Sequence, residues 1–233
     1  MRANAHRWSG SVAPGMPSMW ALTRYEDGRA MLSDPRFELN ARSFHLRPDV
    51  PADCAPYMRT MTEMDRSEHA RLRRLVAPAF TPRRAAEFQP RVERLVERLL
   101  DDLVEGVEAG VVDLLHFARP LPMEVICELV DIPDRDRAQW RAHGALVASG
   151  SGPGFAAAIP GNVAGAKAAV AQQKVAPANN LLGDLIRAQA EDGDRLSDTE
   201  MVTMVWQLVL SGQTPSNLLA NAMAVLLARP DQL

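Results

Sequence analysis

The residues that decide the fold are 201–230, MVTMVWQLVLSGQTPSNLLANAMAVLLARP. Apolar side chains dominate both ends of this stretch and predict one long buried helix, because a helix that is apolar all round needs protein on every side. Its middle nevertheless holds Gly212, Thr214, Pro215 and Ser216. Glycine loosens a helix interior and proline removes a backbone donor. The sequence therefore predicts a local distortion at this point of the helix.

The composition is that of a globular protein with a sizeable core. The chain has 233 residues, of which 47% are hydrophobic and 24% are charged. This length is enough for one large domain or two small ones. The 26 basic and 29 acidic residues give a net charge of −3. Because nothing in this balance suggests a nucleic-acid binder, we expect no nucleic-acid partner.

The cellular location is inferred from cysteine content and from the missing membrane signals. The two cysteines, Cys54 and Cys127, do not make a disulfide framework, which favours a reduced, cytoplasmic setting. The most apolar window, at about 201–211, is too short to span a membrane. Residues 1–18 lack the apolar run of a signal peptide and are expected to form a disordered leader. A single domain is then expected over 19–233.

Helical periodicity covers most of this domain. Helices are predicted at about 66–78, 83–105, 121–130, 134–148 and 180–190. A short strand and a helix are predicted within 19–33, and the long helix described above begins at a cap formed by Ser197 or Asp198. The segments 41–62 and 149–165 are rich in proline or glycine and are predicted to be loops, the second of them flexible. By pattern alone the chain is an all-α globular domain.

Five segments within residues 20–233 carry a family resemblance. They read WALTRYEDGRAMLSDPRF (20–37), MDRSEHARLRRLVAPAFTPRR (64–84), FARPLPMEVICELVDIPDRDR (117–137), EDGDRLSDTEMVTMVWQLVLSG (191–212) and NLLANAMAVLLARPDQL (217–233). In this order they resemble the entry strand and first helix, the C helix, the approach to the E helix and the two halves of the I helix of a soluble bacterial cytochrome P450. The resemblance implies a mainly α, incomplete cytochrome P450 fold, with helices B to I and a trace of β structure near the N-terminus.

The resemblance also implies parts that this sequence does not contain. The family has a later helix with a Glu-x-x-Arg motif and a glycine-rich loop whose cysteine ligates the haem iron, and neither has a counterpart here. In the family, another helix and another strand come before the part that matches residues 20–37, and they should precede Trp20. The chain is therefore interpreted as the N-terminal half of one cytochrome P450 domain, ending at the I helix. The implied cofactor is heme b, with its iron-ligand cysteine outside this chain.

His69 and Arg73 are the candidate cofactor-binding residues of the predicted C helix. They are four residues apart, so they share one helix face. On this spacing alone a solvated helix face is the commoner explanation. Within the matching C helix, the resemblance implies that both hydrogen-bond a haem propionate. An arginine fork suits a carboxylate, and the histidine adds a second donor.

The segment GQTPSN, residues 212–217, contains the candidate catalytic residues. In the family, a glycine permits a distortion of the I helix over the haem, and an acid followed by a threonine serves oxygen activation. Gly212 is assigned to that distortion as a cofactor-binding residue, Thr214 is the best match to the threonine, and Ser216 is the second candidate. The acid has no counterpart in this sequence. Without the resemblance, a kinked core helix whose hydroxyls bond back to the preceding turn is the preferred interpretation.

The cysteines and a basic cluster complete the candidates. Cys127, in an apolar helix, is expected to be a buried structural thiol, and Cys54 is not flanked by the family's ligand motif. Neither is assigned to iron, so no metal ligand is predicted. Arg74, Arg83 and Arg84 lie near the end of the C helix, where an acidic ferredoxin docks in the family. A solvated surface explains this cluster equally well.

The resemblance implies a haem-thiolate monooxygenase. Such an enzyme inserts one oxygen atom from O₂ into a small organic substrate, with electrons from a ferredoxin and its reductase. Residues 53–61 and 146–165 match, by position, the loops that line the family's substrate pocket. This chain alone is expected to be inactive, because it lacks the iron ligand. The alternative, from another class, is a haem-free helical binding module or a decayed, non-catalytic remnant.

Overall fold

The structure is a computed structural model that describes most of the chain. The described residues are 7–10, 19–37, 50–64, 66–107, 110–147, 152–191, 193–212 and 214–232. Contacts between residues divide the chain into two compact units, Met1–Ser43 and Phe44–Leu233. The boundary between these units falls within 38–49, outside the described residues. The predicted single domain over 19–233 therefore stays a prediction.

The first unit contains a short antiparallel strand pair and a helix. Strand β1 (Arg7–Gly10) pairs with β2 (Met19–Leu22), and helix α1 (Tyr25–Ser33) follows. The strand and helix predicted within 19–33 are confirmed. The predicted disordered leader is wrong at Arg7–Gly10, because β2 supplies backbone partners that a local pattern does not reveal. The rest of 1–18 lies outside the described residues.

The second unit is built from α-helices. They are α2 (Arg66–Val76), α3 (Pro82–Glu105), α4 (Leu115–Ala118), α5 (Pro120–Val130), α6 (Asp134–Val147), α7 (Gly152–Val175), α8 (Leu181–Glu191), α9 (Asp198–Ser211) and α10 (Thr214–Leu227). Short 3₁₀ turns lie at Ala55–Tyr57, Met61–Glu63, Ala77–Ala79 and Pro230–Gln232. The predicted mainly α fold with a trace of β structure is confirmed.

Several helix ends follow from identifiable capping interactions. The Ser197 hydroxyl accepts a hydrogen bond from the Glu200 backbone N–H at 3.2 Å, and the Glu200 carboxylate accepts one from the Ser197 N–H at 2.7 Å. Of the two caps considered for α9, Ser197 is therefore the one used. The Thr81 hydroxyl caps α3 in the same way through the Arg84 N–H, at 3.3 Å. Helix α5 ends where Asp131 adopts a left-handed conformation with φ of 59°.

Helix α7 replaces the flexible loop predicted at 149–165. That prediction is wrong over the described part of the segment, because Gly152–Val175 is a continuous helix that contains Pro160. A Cβ atom on Gly161 would lie 2.1 Å from Cε1 of His143 in α6. The missing side chain therefore lets α6 and α7 approach closely, and packing against α6 and α9 outweighs the poor helix propensity of the segment.

Helix α9 lies at the centre of the second unit. Every residue from Met201 to Trp206 is buried, and the helix packs against α5, α6, α7 and the 3₁₀ turn at Ala55–Tyr57. The predicted burial is confirmed for this part of the stretch. Helix α10 is less covered within this chain, since Leu218 and Leu227 are 68% and 63% exposed. Contacts with α4, α5 and α9 cover the other side of α10. On that side, Met223 packs on a small apolar cluster formed by Leu95, Leu99 and Phe117.

The helix is interrupted between Ser211 and Thr214, where the sequence predicts a distortion. Gly212 has φ of −65° and ψ of −14°, a conformation open to any residue. Its specific requirement is space, because a Cβ atom there would lie 2.1 Å from Cδ1 of Ile126 in α5. The distortion is therefore confirmed, and the glycine is explained by the close approach of α9 to α5.

One buried carboxylate joins three helices. Glu124 of α5 is 1% exposed and contacts Arg98 of α3 at 3.3 Å. Arg137 and Arg141 of α6 approach the same carboxylate at 3.4 Å and 2.5 Å. A charge removed from water is tolerated when it is paired and hydrogen-bonded, as it is here. The network fixes α3 and α6 against α5.

We expect Gly212→Ala to lower the free energy of unfolding by about 1–3 kcal/mol, because the added methyl group overpacks against Ile126. Ile126→Val removes the Cδ1 atom and costs about 0.5–1.5 kcal/mol alone. The loss of free energy of unfolding in the double variant should be smaller than the sum of the losses in the two single variants. The reason is that removing the Ile126 Cδ1 methyl group makes room for the methyl group added at position 212. Urea unfolding read by pulse proteolysis at low protein concentration measures this cycle.

The matched control is Gly193→Ala, since a Cβ atom at Gly193 would meet nothing within 4 Å. It should leave the unfolding midpoint nearly unchanged. Strictly additive effects of Gly212→Ala and Ile126→Val would contradict a direct contact between the two positions.

Candidate functional site

Helix α2 presents two unpaired donors on one exposed face. His69 and Arg73 lie one turn apart and are both exposed. Among the described residues, neither side chain has a hydrogen-bond or ion-pair partner. Leu72 and Val76, which are 4% and 3% exposed, hold the helix to the core. The imidazole and the guanidinium are thus both available to a carboxylate that comes from outside the described residues.

Arg71, which lies between His69 and Arg73 in the sequence, is occupied by three hydrogen-bond partners. Arg71 donates to the Glu200 carboxylate at 2.7 Å, to the Asp194 carboxylate at 3.0 Å and to the Arg195 carbonyl at 2.6 Å. Burial alone would raise the pKa of Glu200, but hydrogen bonds from Arg71 and Ser197 outweigh it and hold that pKa below its usual value. Glu200 is therefore ionised at neutral pH. This contact locks α2 against the start of α9.

The predicted basic cluster is paired with acids. Arg83 contacts Glu87 at 2.9 Å, and Arg84 contacts Glu87 at 2.9 Å and Asp184 at 2.8 Å. Arg74 contacts Asp194. The surface around the cluster therefore alternates in charge. Its role in docking a redox partner stays a prediction.

The predicted catalytic segment lies at the junction of α9 and α10. Gly212 is buried against Ile126, Pro215 is exposed, and Ser216 is half-buried in the first turn of α10. Ser216 makes no hydrogen bond to a described residue. Thr214 begins α10, but its side chain lies outside what the structure describes. The three assignments at Gly212, Thr214 and Ser216 thus stay predictions.

A hydroxyl that the sequence analysis did not single out bonds back to the preceding turn. Ser211 Oγ donates to the Gln207 carbonyl at 2.8 Å and to the Leu208 carbonyl at 3.1 Å. This is the bonding expected of a hydroxyl near a helix irregularity. Its position at the end of an apolar helix, immediately before Gly212, is the sequence signal that could have identified it.

Both cysteines are buried thiols. Cys54 is 2% exposed and Cys127 is 0% exposed. Burial, together with the nearby Glu124 carboxylate, raises the pKa of Cys127 to about 12. Burial also raises the pKa of Cys54, with a further contribution from Asp53. Both sulfurs are therefore protonated at neutral pH and sit in the packed core.

A small cavity lies between the turn at Met61–Glu63, α2 and α9. Its volume is about 170 Å³, and its apolar lining includes Met61, Met64 and Met204. The Met61 N–H donates to the Gln207 side chain at 3.1 Å, which holds the turn against α9. Methionine adapts its shape to irregular apolar ligands, whereas Arg59, Glu68 and Glu200 give the same lining charged groups, so the cavity is apolar on one side only.

Two kinds of site are absent from the described residues. No group of three or more histidine, cysteine, aspartate or glutamate side chains in that part of the chain could hold a metal ion. Its helices likewise include none that is both long enough and apolar enough to cross a membrane.

Comparison with curated proteins identifies relatives over nearly the whole chain, although no protein-family model matches it. Cytochrome P450 107B1 of Saccharopolyspora erythraea is 37% identical over 227 residues, which cover 92% of this chain and 55% of the relative. Vitamin D(3) 25-hydroxylase of Pseudonocardia autotrophica is 36% identical, with 92% and 53% covered. The cytochrome P450 monooxygenase PikC of Streptomyces venezuelae is 35% identical, with 94% and 53% covered. The chain spans about half the length of these curated relatives.

Solved structures give the same result for the fold. The ligand-free P450 monooxygenase TamI matches with a TM-score of 0.78 and 30% identity, covering 99% of this chain and 56% of that one. The mixed-function P450 MycG matches with a TM-score of 0.80 and 28% identity, covering 97% and 57%. Sequence and fold agree, and the chain belongs to the cytochrome P450 family, of which it carries a partial, helical fold.

Proposed function

We propose that this chain is the N-terminal part of a haem-thiolate monooxygenase that inserts one oxygen atom from O₂ into a small organic substrate. The observation that carries the proposal is the pair of unpartnered donors, His69 and Arg73, on the exposed face of α2. Several relatives that match this chain are named as P450 monooxygenases or hydroxylases. A haem-free helical module or a non-catalytic remnant is not favoured, because the relatives that match nearly the whole chain are named as cytochrome P450s, monooxygenases or hydroxylases.

The described residues fit one part of a heme b site. His69 and Arg73 would hold a haem propionate, because a guanidinium and an imidazole on adjacent turns can donate to the two oxygens of one carboxylate. Bound haem would supply the oxygen chemistry, while the protein binds and orients it. Gly212 would let α9 lie close to α5 at the end of the helix that passes the cofactor.

The cysteines do not fit the other part of the site. An iron-ligating sulfur is a thiolate with donors around it and access to the metal. Cys127 and Cys54 are protonated and packed in the core. The proposal therefore places the iron ligand outside these 233 residues, and the chain alone is expected to be inactive.

Substrate, electron donor and location complete the proposal. The methionine-lined cavity beside the turn at Met61–Glu63 would form one wall of a pocket for a small organic substrate. Electrons would come from a ferredoxin and its reductase, with the surface near Arg74, Arg83 and Arg84 as the docking region. The two buried free thiols favour a cytoplasmic setting.

Haem content tests the function. The completed protein is defined here as this chain followed by the C-terminal part of PikC. It should bind haem and give the ferrous–CO Soret band of a thiolate-ligated haem, whereas the present chain alone should not. A thiolate band from the present chain alone would contradict the placement of the ligand. Absence of haem from a folded completed protein would contradict the function.

Haem retention should fall when either donor on α2 is removed. In the completed protein, His69→Ala and Arg73→Ala each take one donor from a buried carboxylate, which costs about 1–3 kcal/mol. Haem transfer to apomyoglobin should therefore be faster by roughly 5- to 150-fold. The control is Arg135→Ala, because Arg135 is exposed and lies 3.6 Å from Asp136 alone. Transfer rates in His69→Ala and Arg73→Ala equal to the control would show that the two residues only face solvent.

Product formation should become uncoupled from oxygen consumption when Thr214 loses its hydroxyl. The proposal assigns the Thr214 Oγ1 hydroxyl to proton delivery beside the haem, with ordered water, because the family's acid is missing. A hydroxyl on the substrate is the alternative source of the proton. In the completed protein, Thr214→Ala should keep consuming oxygen while product falls and hydrogen peroxide rises. Ser216→Ala is the matched control and should have a smaller effect. If product per electron is unchanged in Thr214→Ala, the hydroxyl is structural or the substrate supplies the proton, and the catalytic assignment fails.

Alkylation of the cysteines checks the exclusion of both as iron ligands. In the folded chain, iodoacetamide should modify neither Cys54 nor Cys127, because the reagent needs an accessible thiolate. At about pH 9, where most of an ordinary thiol is ionised, Cys127 should still react far more slowly than a free thiol, since its pKa of about 12 keeps nearly all of it protonated. Both cysteines should react in urea. Rapid modification of either cysteine in the folded chain would make it a candidate ligand again.

A further inference from the structure

A groove between α3 and α8 is separate from the residues assigned to haem. Its volume is about 540 Å³, within the range of small-molecule sites. It lies where α3 begins, beside the loop that leads into α8. The apolar part of its lining comprises Ala79, Phe80, Phe88, Val92, Leu129 and Leu181. None of His69, Arg73, Gly212, Thr214 and Ser216 lines it.

A buried amide in the lining of this groove has an unused donor. Asn180 is 6% exposed, and its Oδ1 accepts a hydrogen bond from the Gly183 N–H at 2.8 Å, which caps α8. Because the cap requires an acceptor at this position, the orientation of the amide is fixed, and Nδ2 occupies its other edge. Nδ2 has no acceptor among the described residues. A buried donor without an acceptor is costly, which indicates a partner that the described residues do not provide.

The same groove has one cation that no acid neutralises. Arg91 donates to the Asn179 carbonyl at 3.2 Å and lies 5.8 Å from the centre of the Phe88 ring. It forms no ion pair with a described carboxylate. Arg84, by contrast, is paired with Glu87 and Asp184. Of the charged side chains that line the groove, Arg91 therefore carries the uncompensated charge.

We propose that this groove binds an amphipathic carboxylate, an apolar body that carries one anionic group. The apolar body would pack between Phe80, Phe88 and Leu181. The carboxylate would accept hydrogen bonds from Arg91 and, once an outward movement of the loop at 179–180 exposes it, from Asn180 Nδ2. The first turns of α3 and α8, which meet at this groove, add the favourable potential that helix N-termini give to an anion.

The choice of ligand follows from charge and shape. A neutral apolar molecule would leave both the Arg91 guanidinium and the Asn180 amide unsatisfied. A multiply charged anion would approach the Glu87 and Asp184 carboxylates, which also line the groove. One carboxylate on a hydrocarbon body matches both the single free cation and the apolar walls.

Photolabelling of the 233-residue chain tests the proposal. The probe is dodecanoic acid with a diazirine at its far end, and peptide mass spectrometry maps the labelled residues. Label is expected within 79–92 and 179–184, and unlabelled dodecanoate should compete for it. The methyl ester of the probe should label these peptides about tenfold less, because a charge-assisted hydrogen bond is lost. Label confined to the exposed face of α10, or equal labelling by the acid and its ester, would overturn the proposal.

Two substitutions separate ligand binding from folding. Asn180→Asp keeps an acceptor for the α8 cap but removes the Nδ2 donor and adds a repelling charge, so groove labelling should fall about tenfold or more while the circular dichroism spectrum is retained. Arg91→Gln should lower labelling to a similar extent. The control Arg135→Gln removes an exposed guanidinium elsewhere and should label as the unchanged chain does. Undiminished labelling in Arg91→Gln would overturn the proposal, whatever the outcome for Asn180→Asp.

Discussion

The burial of α9 on all sides is the constraint on which the second unit depends. Six consecutive residues, Met201–Trp206, are buried, so every face of this helix segment is covered by protein. Helices α5, α6 and α7 and the 3₁₀ turn at Ala55–Tyr57 must therefore surround it. The polar contacts that define its start, the Ser197 cap and the Arg71–Glu200 ion pair, lie where the helix first meets solvent. Its C-terminal end approaches α5 so closely that a Cβ atom at position 212 would displace the end of the Ile126 side chain.

The anchoring of α9 also determines what α2 can bind. Arg71 reaches toward Asp194 and Glu200, while Leu72 and Val76 enter the core, and these contacts fix the rotation of α2 about its axis. With that rotation fixed, His69 and Arg73 remain on the outer face. The propionate site in the proposed function is thus a consequence of packing elsewhere on the same helix. A local change at Arg71 would disturb the orientation of His69 and Arg73 without touching either residue.

Sequence patterns predicted the features that depend on local order. The amphipathic α3, the capped start of α9 and the distortion near Gly212 are all visible as periodicity, a capping residue or a helix breaker. Patterns failed where a distant residue decides the outcome. Gly161 was predicted to lie in a loop because its contact with His143 is not visible in the local sequence. Arg7–Gly10 were predicted to be disordered because their pairing with β2 is not visible there either. The candidate site divides in the same way. Helical spacing places His69 and Arg73 on one face, and their assignment to a cofactor rests on the resemblance to the family's C helix. The engagement of Arg71 needed the fold. The buried amide of Asn180 was not predicted because its burial depends on tertiary packing around the start of α8.

The close fit of α6 and α7 at Gly161 has a mechanical consequence. The His143 ring of α6 occupies the space that a side chain would fill at Gly161 of α7, so the two helices interdigitate at this point. Sliding one helix along the other would drive the ring into the neighbouring turn, which makes a gradual shear between them unfavourable. The contact at Gly161 therefore favours displacement of α6 and α7 together over sliding between them.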